Sequence, residues 1–131
     1  DPYSFQGMWS LDKLYYKSED IRYCMSINGL VFDENEIQIS GFLNKCNLYP
    51  KYDEKGKYHF IKDQNNLYLI LTINNQVFND TFKIKYINDT RDKLLKVELT
   101  SRNVQLIARK GLYNYDKHLK EIIKLEEMTR D

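Results

Sequence analysis

Along most of this chain apolar and polar residues alternate with a period of two. In Thr81–Tyr86, Phe82, Ile84 and Tyr86 fall on one side and Lys83 and Lys85 on the other. Leu95–Leu99, Glu36–Ile39 and Lys57–Phe60 repeat the pattern. Such alternation marks strands with one buried face and one wet face. Leu67–Ile73 is apolar on both faces, so its outer side calls for a cover. Polar clusters rich in Asn and Asp punctuate the chain at 33–35, 53–56, 63–66, 74–75, 88–92 and 101–103. These residues suit turns because they tolerate left-handed backbone and bond their own main chain. Strands are thereby predicted near 8–16, 29–33, 36–43, 57–62, 67–73, 77–87, 94–100 and 103–110. The stretch 18–27 reads either as a strand or as a short helix begun by Ser18-Glu19-Asp20, and 44–52 reads as a loop closed by Pro50.

After Gly111 the period changes. Tyr115, Leu119, Ile122, Ile123 and Glu126 fall at helical spacing, with Asn114 as N-cap, Asp116 in the first turn and Lys117 four residues before Glu121. The pattern predicts an amphipathic α-helix over about 113–128 that covers the outer face of 67–73. The fold class is therefore mostly β. A single domain spans 1–131, with an antiparallel meander barrel of about eight strands over 5–111 and the helix at its end.

Composition narrows the function classes. The 11 tyrosines suit half-buried sheet positions, where a ring packs and a hydroxyl stays wet. Twenty basic residues against 19 acidic ones give no basic excess, which argues against a general nucleic-acid binder. No apolar run approaches the roughly 20 residues of a membrane-spanning helix. Cys24 and Cys46 match no zinc or redox spacing; they read as two buried thiols or as one disulfide.

Gly7-Met8-Trp9 opens the first strand and holds the only tryptophan; Val104–Lys110 ends the last strand with the basic pair Arg109-Lys110. With the meander between them, these segments resemble the small lipocalin-like domains of the calycin superfamily, of the type common in secreted and lipid-anchored proteins of Bacteroidetes. The segment Gly29–Asn35, leading into Glu36–Ile39, is similar to their second hairpin. The resemblance implies a barrel plugged at one end by Trp9, with Arg109 packed on the indole as a closing latch. It also implies a periplasmic, secreted or cell-envelope location, in some forms with a lipid anchor upstream. Two features depart from the larger lipocalins: Arg109 precedes the helix, and a Thr-Asp-Tyr motif is missing. Strand parity sets Arg109 opposite to Leu106 and Ala108, so Lys110 is the alternative partner for Trp9.

No catalytic constellation stands out. There is no nucleophile elbow and no phosphate-cradling glycine run, and Asp33–Glu36 reads as a solvated acidic turn. His59 and His118 are each alone in sequence, so neither a metal site nor a cofactor is expected. The leading expectation is a non-enzymatic module binding an apolar or amphipathic small molecule inside the barrel. Trp9, Tyr15, Tyr58, Phe60, Tyr68 and Phe82 are the predicted lining. The rival expectation is a protein–protein interaction module of the cell envelope, a subunit or an immunity-type inhibitor. It would have a filled barrel and act through the tyrosine-rich segments 49–58 and 113–117.

Overall fold

The alternating segments become antiparallel strands in the computed structural model, which describes residues 5–89, 94–111 and 127–128. The strands are β1 (Gly7–Tyr16), β2 (Glu19–Asp20), β3 (Gly29–Phe32), β4 (Glu36–Ile39), β5 (Glu54–Asp63), β6 (Asn66–Thr72), β7 (Thr81–Asp89), β8 (Leu94–Thr100) and β9 (Val104–Gly111). Each strand pairs with its neighbour in the meander, and β9 returns to β1, closing an eight-stranded barrel. The two-residue β2 lies outside that circuit as a short flap on the end of β1. β1 makes the closure by using its edges in turn. Residues 7–10 pair with β3, and residues 10–16 pair with β9 across a bulge between Leu11 and Lys13.

The period of two decides what faces inward. Trp9, Leu11 and Leu14 of β1, Leu30 and Phe32 of β3, and Ile37 and Ile39 of β4 are buried. So are Leu67, Leu69 and Leu71 of β6, Phe82 and Ile84 of β7, Leu95, Val97 and Leu99 of β8, and Val104, Leu106 and Ala108 of β9. The intervening positions, such as Lys57, His59, Lys83, Lys85 and Gln105, are exposed. An apolar interior with a charged exterior is the inverse of the polarity of a membrane-spanning barrel. Among the described residues no helix is long and apolar enough to cross a membrane.

The register gives the barrel two unlike ends. One carries Phe5, the turn 33–35 and the tight hairpin at 64–65, and the chain leaves from it after Gly111. The other carries the turn at Lys17-Ser18, the segment 21–28, the loop 40–53, the loop 73–80 and the turn 101–103. The long connections therefore gather at one rim.

Several boundaries differ from the sequence expectation. Strand β5 begins at Glu54, inside the predicted turn 53–56. Gly56 belongs to the strand because a Cβ there would stand 2.5 Å from both the Ile73 Cβ and the Thr72 carbonyl oxygen, and close backbone approach needs glycine as surely as a turn does. Strand β7 begins at Thr81 rather than 77. Asn75 overrides the apolar run before it by accepting the N–H groups of Val77 (2.9 Å) and Phe78 (3.0 Å), which curls both side chains into the core. Strand β4 stops at Ile39, and Phe42 makes only an isolated bridge with Met25. The ambiguous stretch 18–27 resolves into β2 and one 3-10 turn at Arg22–Cys24. The predicted helix at 113–128 lies outside the described residues except for Glu127 and Met128; these two have helical backbone, and Met128 packs against the core. On the outer face of β6, Tyr68 and Ile70 are half-buried.

Candidate binding groove at the loop end of the barrel

The end that carries Trp9 is an aromatic plug. Gly7, at φ +119°, takes a backbone conformation that an L side chain would strain, and so turns the chain into β1. This lets Phe5 fold back over the barrel end, stacked on Trp9 with ring centroids 5.1 Å apart and packed on Phe60 (4.9 Å) and Phe32 (5.9 Å). The Trp9 Nε1–H donates to the Phe5 carbonyl at 2.9 Å. Tyr58 stands edge-on to Phe32 (5.0 Å), and its hydroxyl donates to the carbonyls of Asp33 and Glu34. Burial, and then the Asp33 and Glu34 carboxylates, push the Tyr58 phenol above its ordinary pKa. The acidic turn thus receives a core hydroxyl through its main chain.

The basic partner of Trp9 is Lys110 and not Arg109. The Lys110 Nζ lies 5.5 Å from the indole centroid and donates to the Gln6 carbonyl at 2.6 Å. Arg109 has the outward parity of β9, and its Nε bonds Asp12 Oδ1 at 2.8 Å. Asp12 is the residue set aside by the β1 bulge, and its carbonyl also accepts the Arg22 guanidinium at 2.8 Å. The sequence-predicted Trp9–Arg109 latch therefore divides in two: Lys110 on the indole inside, Arg109 on the bulge outside.

The six predicted lining residues also divide. Trp9, Tyr58, Phe60 and Phe82 have inward parity, and the first three share the aromatic plug. Tyr15 and Tyr68 face outward, since Tyr15 pairs with exposed Gln105 and Tyr68 with exposed Lys83. Relative exposure is 1% for Trp9, 6% for Tyr58 and 0% for Phe82. Trp9 and Phe82 are thus packed against neighbours rather than lining a void.

The loop end is built differently. A disulfide joins Cys24, in the 3-10 turn, to Cys46, in the loop 40–53, with Cα atoms 5.8 Å apart. It decides between the two readings of the cysteines and welds two connections that the strand pattern left undefined. Main-chain bonds from Leu43 to Cys24 (2.7 Å) and from Ser26 to Gly41 (3.1 Å) run alongside it. The Lys51 ammonium caps the carbonyls of Leu43 and Cys46. Gln76 ties the third loop in, as its N–H donates to the Tyr49 carbonyl and its Oε1 accepts the Tyr49 N–H.

Between these loops and the end of β1 lies an open groove of about 370 Å³. Tyr16, Ile21, Leu48 and the disulfide form its apolar surface; Lys17, Glu19, Lys45, Asn47 and Gln76 supply polar groups. The Lys17 Nζ sits 5.3 Å from the Tyr16 ring centroid, and the Lys45 Nζ sits 5.4 Å from that of Tyr23. Two further hollows, of about 350 and 260 Å³, flank Tyr15 on the outer sheet face and its adjoining turns. Sequence reasoning placed none of the groove residues in a site. The signal that could have found them is the cysteine pair, which brings 21–24 and 45–48 together only once it is read as bonded.

Among the described residues no three His, Cys, Asp or Glu side chains converge as metal ligands, and His59 is exposed on β5. His118 and the segment 113–117 lie outside the described residues. Compared with protein-family models, curated proteins and solved structures, the chain matches none.

Proposed function

We propose that this chain is a non-enzymatic binding module that takes an amphipathic small molecule in the groove at its loop end, not inside the barrel. One contrast carries this reading. Trp9, Tyr58 and Phe82 are buried inside the barrel and Phe60 partly so, whereas the groove beside Cys24–Cys46 is open and combines an apolar surface with polar side chains. Its volume falls in the range of small-molecule sites, and loops held by a rigid scaffold are where binding residues concentrate. The closed meander, the Gly7-x-Trp9 start and the basic residue over the indole support a lipocalin-like, calycin-type barrel. The disulfide supports an oxidising location such as a periplasm or the extracellular space.

A second reading draws on the same rim. Tyr23, Tyr49 and Tyr52 are 61%, 56% and 63% exposed on the loops that the disulfide and Gln76 hold together. Rigid exposed tyrosines suit a protein partner.

Ligand-observed NMR with a panel of amphipathic compounds separates the two. Binding is expected with the wild type and with Ile61→Glu on the far outer face, and is expected to be lost in Leu48→Glu. No binding by the wild type, or equal binding by Leu48→Glu, would remove the groove reading. A protein partner released by Tyr23→Ala and Tyr52→Ala, with no small ligand held, would put the second reading in its place.

A further inference from the structure

We infer that the groove selects an anionic amphipath, one whose carboxylate or comparable acidic group meets Lys17 and Lys45; this rests on the groove being the binding site. Both lysines line the groove as exposed residues, and each ammonium stands over a tyrosine ring. Among the described residues neither ammonium has a carboxylate or carbonyl partner, in contrast to Lys51 on Leu43 and Cys46. A ring face attracts a cation without neutralising it, so both charges stay available to an incoming anion.

The apolar surface between them explains why the ligand is amphipathic. Tyr16, Ile21 and Leu48, with the buried disulfide, leave a surface that a hydrocarbon or aromatic body covers while its acidic head reaches the rim. Asn47 and Gln76 add amide donors. Among the described residues Glu19 is the one acidic side chain of the lining, which sets two positive charges against one negative. Glu19 opposes an anion, and its removal strengthens the binding that the lysines favour. Lys45 sits beside Cys46 on a connection that the disulfide holds, and Lys17 sits on the separate turn that follows Tyr16 at the end of β1. The crosslink therefore fixes one charged wall of the groove, and the barrel strand β1 presents the other.

The test uses three probes that share one body: 4-phenylbutyrate, 4-phenylbutanol and 4-phenylbutylamine, titrated calorimetrically at low salt. The acid is expected to bind more tightly than the alcohol, and the amine more weakly. Lys17→Gln and Lys45→Gln are each expected to weaken the acid about 3- to 5-fold and to leave the alcohol unchanged. Glu19→Gln is expected to tighten the acid, and raised salt to narrow its advantage over the alcohol. The alcohol titration doubles as a check that each variant keeps a folded groove. Equal binding of acid and alcohol, with no effect of either lysine, overturns the inference and leaves the groove reading standing. Tightest binding of the amine overturns it in favour of Glu19. Failure of all three probes to displace one another or to respond to Leu48→Glu removes the groove reading itself.

Discussion

The Lys110 ammonium rests 5.5 Å from the Trp9 ring centroid and also donates to the Gln6 carbonyl, across the barrel seam. First and last strands are thus joined by side chains as well as by the β1–β9 ladder. Among the described residues its sequence neighbour Arg109, on the opposite face, reaches the bulged Asp12. The two basic residues therefore differ in what they stabilise. Lys110→Met is expected to cost about 1–2 kcal/mol in urea unfolding, from the indole contact and the charged hydrogen bond. Arg109→Gln breaks a solvent-screened pair and is expected to stay within about 1 kcal/mol of wild type. The reverse order would return the latch to Arg109.

Tyr58 makes stability depend on alkaline pH. Its phenol is raised in the folded state, so the neutral form is favoured by folding. The resulting stabilisation is fully present below the unfolded phenol value of about 10 and is lost as pH rises above it, toward the folded value. Wild type is therefore expected to lose stability more steeply above about pH 10 than Tyr58→Phe. At neutral pH the variant is expected to be weaker by about 1 kcal/mol, since the Asp33 and Glu34 carbonyls lose their donor. Parallel thermal melts of the two proteins across this range check both parts. Identical alkaline slopes would mean that Tyr58 ionises in the barrel as it does in the unfolded chain.

The disulfide bears on both stability and binding. It closes a chain segment with a sequence separation of 22, for which loop entropy predicts about 3 kcal/mol. The double variant Cys24→Ser, Cys46→Ser is expected to lose about that much in denaturant unfolding. It is also expected to lose 4-phenylbutyrate affinity under conditions where the barrel remains folded. Unchanged affinity in the folded double variant would show that the crosslink does not shape the groove.

Gly56 offers a test of the close packing between β5 and the residues that end β6. A methyl group there meets the Ile73 Cβ and the Thr72 oxygen at 2.5 Å, so Gly56→Ala is expected to destabilise by about 1–3 kcal/mol despite its better strand propensity. Chemical denaturation at one temperature settles the sign. A neutral or stabilising result would mean that β5 and the end of β6 separate more readily than their register indicates.

The barrel was legible because its strands carry a strict period of two over most of their length. Phe82-Lys83-Ile84-Lys85-Tyr86 states its register without tertiary information, and the parity of Ala108 and Arg109 already offered Lys110 as the alternative for Trp9. The misread boundaries share a cause. Gly56 and Asn75 belong to turn vocabulary, yet one serves close packing and the other curls an apolar segment inward through its side chain. The predicted pocket went partly astray through parity, since Tyr15 and Tyr68 occupy outward positions and only aromatic character recommended them. The groove was hidden for a different reason. Ile21, Lys45 and Leu48 belong to connections with no periodicity, and they meet through one covalent bond between residues that alternation does not relate.

The most direct test of the account follows two reporters during one titration with 4-phenylbutyrate: the Leu48 methyl resonances and the Trp9 indole N–H. Trp9 occupies the opposite end of the barrel, bonded to Phe5 and sealed from solvent. The Leu48 methyls are expected to shift in a saturable way while the Trp9 signal stays in place. Movement of Trp9, with Leu48 unchanged, would contradict the groove reading and return the ligand to the barrel interior.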